Sequence, residues 1–523
     1  MFDALFTTTT EYKKLSHALS GKGACALFGL PASGRAQVYA ALCRQLDKPL
    51  CIVTPGEAEA TRFAADLNTL GIPAAVFPAR DYVLRPIEGT AREYEYRRLA
   101  VLGELVGGRL RAVAVPAEAL TQFTTPKEDF CANTRTLHAG DTLLRDDLLA
   151  ALFGAGYTRR AQVDGPGQFS VRGDIVDIFA PDQKMPVRME FWGDEIDTLH
   201  TFDLTTQRRE DAIDKFYLSP AREVLFGKPA DAAEQLRAFL AKQRGKKKTA
   251  MADCMAADLD LLDGGAVPVN MDKYLAVRYP HPATVLDYFD DPILVAEEPA
   301  SIREADRATA YRRGEELKSL ILDGVLCAGL DNLYADPSYL WSKTGHYRTI
   351  CAENFARSMP DQPLKDIINA PAHTLPAWNG EVAGLLEDLK PLCDAGYTVT
   401  LLAGTDRAAA GLARDLRDKG ILVTTDAAAA PAAGLVQVLA GHLSAGCEFP
   451  FAKYALLTGR AFGETSSQKK KRKKAKDALN SLTEITPGDL VVHQNHGIGR
   501  YAGIQRMSFQ GVTKDYLRIE YDK

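Results

Sequence analysis

The stretch ACALFGLPASGRA, residues 24–36, decides the fold. Residues 24–29 form an apolar run of strand length, and a helical pattern follows over 36–46. Working outward, 50–55 reads as a second strand and 57–70 as a helix with one apolar face. Residues 74–77 and 110–115 are further strand candidates. Strands alternating with helices predict a parallel sheet with crossover helices. The first strand-to-helix turn has the glycines of a phosphate-binding loop in register, Gly29 and Gly34. That loop has the form G-x-x-x-x-G-K-[ST], with Lys for the phosphates and a hydroxyl for magnesium. Here Arg35 stands in the Lys position and Ala36 in the hydroxyl position. Ala36 offers no oxygen to a metal. The expectation is a degenerate nucleotide loop that keeps the turn and loses the chemistry, rather than a live site with Arg substituting.

The partner half of such a site is a strand ending in acids that hold magnesium and aim water. The run 293–296 is that strand, and it ends in Glu297-Glu298 followed by Pro299-Ala300. Both halves of a nucleotide site are recognisable and both are altered.

Between these halves the texture changes. A leucine-rich helix over 141–154 precedes strands at 168–171, 174–179, 187–191 and 198–202. Turns at Gly165-Pro166-Gly167 and Gly193-Asp194 separate them. This predicts a small α+β domain, 127–215, inserted between the halves of the first, 1–126 and 216–340. Arginines on its neighbouring strands share one exposed face, where guanidinium groups suit paired recognition of carboxylates. A further α/β domain is expected at 345–462, then a basic linker at 463–481, including six Lys or Arg at 469–474. A like-charge block of that kind stays extended. It offers contact to DNA phosphates or serves as a solvated leash. Residues 482–523 alternate short apolar runs with Gly and Asn turns, the pattern of a small β-barrel. The chain stops directly after a strand, so the expectation is a barrel cut short.

Composition narrows the function classes. A chain of 523 residues exceeds one core and holds about three to five domains. Net charge is −5, so nucleic-acid contact must come from local patches. The nine cysteines form no C-x-x-C pair and read as small core hydrophobes in a reducing, cytoplasmic setting. No stretch has the length and apolarity of a membrane span. His493 and His496 fall on opposite faces of a strand with no third ligand near, so no metal is expected.

Several stretches carry a family resemblance. FSVRGDIVDIFAPDQKMPVRMEFWGDEIDTLHTFD, residues 169–203, is similar to the second domain of UvrB and of the Mfd transcription-repair coupling factors. LDYFDDPILVAEEPA, residues 286–300, resembles the corresponding UvrB strand. GDLVVHQNHGIGRYAGI, residues 488–504, resembles the start of the CarD-like RNA-polymerase-interacting domain. Together they imply the N-terminal part of an Mfd-type factor: a UvrB-like degenerate NTPase body with its insert, a third domain, and an incomplete polymerase-interacting domain. The resemblance implies UvrA binding through Arg159, Arg172, Arg188, Glu190 and Phe191, with Ser170 where UvrB carries another Arg. It implies contact with RNA polymerase, its β subunit in particular, through Ile504 and Met507. In the family a separate motor translocates on double-stranded DNA using ATP and Mg²⁺. This chain is expected to have no cofactor and no ATPase activity of its own. A UvrB-type lesion-verification subunit and a CarD-type transcription regulator are the competing readings. The polymerase module and the room for no long tyrosine-rich hairpin after Phe77 oppose the first. The 169–203 match opposes the second.

Overall fold

A computed structural model describes residues 3–86, 92–357, 359, 362–378, 382–430, 432–459, 490–493, 497–509 and 512–520. They fall into two compact units, 1–459 and 460–523. The linker lies outside the described residues, as does His496.

The first unit is built on a seven-stranded sheet. Its order is Leu364–Asn369, Gly23–Phe28, Arg348–Glu353, Ile293–Glu297, Leu50–Thr54, Ala112–Pro116 and Ala74–Val76. Every pairing in it is parallel. The central strands are apolar on both faces, as helices on both sides require. Cys25, Leu27, Ile52 and Val295 face one core, while Ala26, Val53, Leu294 and Cys351 face the other. The expected start of the third domain, at 345, is corrected here. The strands Arg348–Glu353 and Leu364–Asn369 return to the first sheet, flanking Gly23–Phe28.

The insert is a six-stranded sheet in the order Arg209–Ala212, Glu195–Phe202, Val187–Trp192, Ile175–Phe179, Gln168–Arg172 and Thr158–Arg159. All neighbours are antiparallel except the last pair. The helix Arg145–Gly154 covers one face with Leu148 and Leu152. Entry and exit are tied by the pair Arg135–His138 with Lys215–Leu218, so the insert runs slightly past its expected end at 215.

Just beyond that exit, Glu223 is fully buried and receives Arg98 Nε at 2.6 Å. Arg80 lies 3.3 Å from the same carboxylate and holds Asp272 at 2.7 Å. Buried charges persist only when paired and hydrogen-bonded. This network therefore fastens the insert's root to the first sheet and to the helical layer around Tyr274 and Leu326. A third sheet orders His373–Leu375, Gly446–Phe449, Tyr454–Thr458, Thr398–Leu402, Val436–Leu439 and Val423–Thr424.

The second unit, described by itself, is an antiparallel meander of Leu490–His493, Gly497–Phe509 and Val512–Glu520. Ile504 pairs with Leu517 and Met507 with Lys514. Among the described residues no helix is long and apolar enough to cross a membrane.

Candidate functional site

Two sets of residues singled out in the sequence can be followed to their surroundings. The first is the glycine loop. Gly29 directly follows its strand at φ +88°, and a Cβ there would come within 3.0–3.1 Å of Asn369 and Ala370. Only glycine is comfortable in that conformation. The helix that follows, Ala32–Leu46, begins earlier than the sequence pattern suggests. Ser33, Gly34, Arg35 and Ala36 are thus helical and buried. The third sheet lies directly on this turn: a Cβ on Gly34 would meet Cys447 Sγ at 2.8 Å.

Arg35 turns inward. Its Nη2 lies 3.0 Å from Glu297 Oε2, and both terminal nitrogens donate to Glu298 Oε1 at 2.9 Å. Tyr39 donates its hydroxyl to Glu297 Oε1 at 2.5 Å. Asn354 N–H reaches Glu298 Oε1 at 3.2 Å. Burial raises the Glu297 carboxyl, opposed chiefly by Arg35 and by the Tyr39 hydrogen bond. Burial also pushes the Tyr39 hydroxyl well up, and Glu297 adds to it. The altered loop and the altered acidic strand have become partners of each other. The arginine side chain is only 3% exposed.

The second set lies on the insert's open sheet face. Side chains alternate across a strand. On Val187–Trp192, Val187, Met189 and Phe191 enter the core, while Arg188, Glu190 and Trp192 take the other face. Register places Ser170, Asp177 and Arg188 side by side on three adjacent strands. Asp177 is 1% exposed and is the centre of a cluster. Arg172 Nη2 donates to its Oδ2 at 2.6 Å. Arg188 donates from Nε to Oδ1 at 2.7 Å and from Nη2 to Oδ2 at 3.0 Å. This hydrogen-bonded pairing raises the Arg188 guanidinium. Arg188 also lies 4.7 Å over the Phe202 ring. Glu190, on the same strand, bonds Thr198 and Arg209.

Of the five residues expected on one surface, the structure gathers Arg172, Arg188 and Glu190. Arg159 is exposed, but it stands opposite Phe169, a core residue, on the two-residue edge strand. It does not join the Asp177 cluster. Phe191 is corrected: at 6% exposure it packs in the insert's core and presents nothing to a partner. The exposed aromatic is its neighbour Trp192, at 82% exposure. Strand alternation in Val-Arg-Met-Glu-Phe-Trp was the signal for it. Ser170 is buried, and among the described residues its hydroxyl has no hydrogen-bond partner, so the place of the additional UvrB arginine is occupied by a small side chain beside Asp177.

Comparisons with known proteins agree with this division. Residues 136–224 match the UvrB interaction domain, and residues 485–523 match the CarD-like/TRCF RID domain. A transcription-repair-coupling factor of Bacillus subtilis is 27% identical over 510 residues, covering 95% of this chain and 43% of the relative. Those of Staphylococcus haemolyticus and Staphylococcus aureus are 26% and 24% identical, each covering 94% of this chain and 43% of the relative. The chain thus spans under half the length of these relatives, and along nearly all of its own length it is similar to transcription-repair-coupling factors.

Proposed function

We propose that this chain is the recruiting part of a transcription-coupled excision-repair factor. The outer face of the insert binds UvrA, and the C-terminal strands bind RNA polymerase at its β subunit. The observation that carries the reading is the sheet face on which Arg172 and Arg188 hold the buried Asp177 and which Glu190 and the exposed Trp192 share. An exposed tryptophan on the same face as arginines already held in one geometry is what interface hot spots favour. The buried acid fixes the guanidinium planes before a partner arrives, which lowers the ordering cost of association. Arg172 retains a side chain 47% exposed, with donors free to meet a carboxylate.

The glycine loop serves the fold rather than nucleotide chemistry. The helix starts inside it, Arg35 is committed to two glutamates, and Cys447 covers Gly34. ATP, magnesium and movement on double-stranded DNA belong, in this reading, to a motor of the whole factor, which displaces polymerase stalled at a lesion. The setting for that work is cytoplasmic.

The test is titration of purified UvrA against the chain and against its Trp192→Ala and Arg172→Ala variants. Each substitution is expected to weaken binding by about 1–2 kcal/mol, and the pair by more. Folded variants that bind UvrA as the parent chain does would remove the reading.

A further inference from the structure

Away from both sites, the long helix Pro299–Leu322 forms one wall of a cavity of about 190 Å³. Asp306, Thr309, Ala310, Arg313 and Leu317 line it at helical spacing. The opposite wall is Tyr334, Ala335 and Pro337, held in place by Ala335 N–H donating to Thr121 O at 2.8 Å. Gly314 also faces the space, and a Cβ there would meet nothing within 4 Å.

The two charges in the cavity are treated differently. Arg313 is satisfied: it donates to Thr121 Oγ1 and to Glu118 O, both at 2.8 Å, and lies 4.0 Å over the Tyr334 ring. Asp306 is only 8% exposed, yet among the described residues no hydrogen bond or ion pair reaches its carboxylate. Seven residues separate the two on the helix, about 10 Å of rise, so Arg313 acts on Asp306 only from a distance. Burial pushes the Asp306 carboxyl up to about 6, with Arg313 opposing. A carboxylate buried without a partner is costly unless something brings it one.

We propose that this cavity receives the alkylammonium group of a lysine side chain presented by a partner protein, with Asp306 as its counter-charge. Ala310 and Pro337 offer apolar contact for a methylene stem. The Thr309 hydroxyl, one helical turn from Asp306, adds an acceptor for an ammonium, a compact charge with three donors. Arg313 at the far end disfavours a second cation, which selects a single amine over a diamine.

The experiment uses the full chain and saturation-transfer NMR with three probes: Nα-acetyl-lysine methylamide, its norleucine counterpart lacking the ammonium, and putrescine. The lysine probe should bind saturably and the norleucine probe should not. Asp306→Asn should weaken the lysine probe roughly tenfold or more. Gly314→Leu, which fills the cavity and leaves the carboxylate in place, should abolish its binding. Equal binding of lysine and norleucine probes, or binding unchanged in either folded variant, would overturn the proposal. Tighter binding of putrescine would overturn the lysine assignment in favour of a free polyamine.

Discussion

Arg35 and Arg188 both hold an acid that is almost wholly buried, Glu297 at 2% and Asp177 at 1% side-chain exposure. Their surroundings differ. Around Glu297 the partners are enclosed: Arg35 and Tyr39 are buried, and the helix turn at Gly34 is covered by the strand Gly446–Phe449. Around Asp177 the acid is buried, while one of its arginines is half exposed and an exposed tryptophan stands on the same face. The same chemistry gives a rivet in one place and, in the proposed reading, a recognition surface in the other. What separates them is whether the guanidinium groups have donors left over for a partner.

The largest expected effect breaks the rivet. Arg35→Met leaves Glu297 buried beside Glu298 without its cation, and should cost about 3–5 kcal/mol of stability in urea unfolding. UvrA affinity of the folded variant should not change. The pH dependence has a definite sign. Burial already raises the Glu297 carboxyl above its ordinary 4.5, and removing Arg35 removes the chief opposing influence. An acid with a raised folded pKa penalises the fold at pH above that pKa, and the penalty disappears below about 4.5. The deficit of the variant should therefore shrink on acidification. A deficit that is constant with pH would mean lost packing, not an unpaired charge. Restoring the motif through Arg35→Lys with Ala36→Thr should yield no ATP hydrolysis, because the turn stays covered.

A smaller effect sharpens how that cover works. Gly34→Ala places a Cβ 2.8 Å from Cys447 Sγ, a clash that should cost about 1–3 kcal/mol despite the better helix propensity of alanine. Cys447→Ala should relieve most of it, so the two substitutions should couple in a double-mutant cycle. Additive costs would show that the third sheet does not seal the loop. On the open face an added side chain at Gly193 would meet nothing within 4 Å, although its φ of +63° still favours glycine.

How much of this was legible in the sequence follows the range of the contacts. The parallel sheet was, because each strand of 24–29 and 50–55 is followed by its own helix. The return of Arg348–Glu353 and Leu364–Asn369 was not: Ala26 pairs with Cys351 and Ile367, across more than three hundred residues, and nothing local marks such a partner. The departure of Arg35 and Ala36 from the loop pattern was legible. That its arginine meets the glutamates of the opposite half, and that Cys447 covers it, depends on folding three distant segments together. Phe191 is a different failure. The strand was identified and its period of two was available, but the aromatic was placed by its position in a motif. Counting alternation from Val187 puts Phe191 in the core and Trp192 outside, as observed.

The smallest stability effect tests whether the open face is poised for a partner or merely solvated. Arg172→Ala removes one hydrogen bond from Asp177, at 2.6 Å, and leaves both donated by Arg188. The acid stays paired, and the lost group is half exposed, so screening by water limits the cost to about 1 kcal/mol. Arg188→Ala removes the better-buried partner and should cost more, because Asp177 then keeps one exposed cation. If the face exists for folding, loss of UvrA affinity should follow this same order. If it exists for recognition, the order should invert: Arg172, with the free donors, should matter more to UvrA than to the fold. Measuring unfolding and binding on both variants separates the two, since a shared ranking would make the cluster a second rivet and leave Trp192 as the remaining contact candidate.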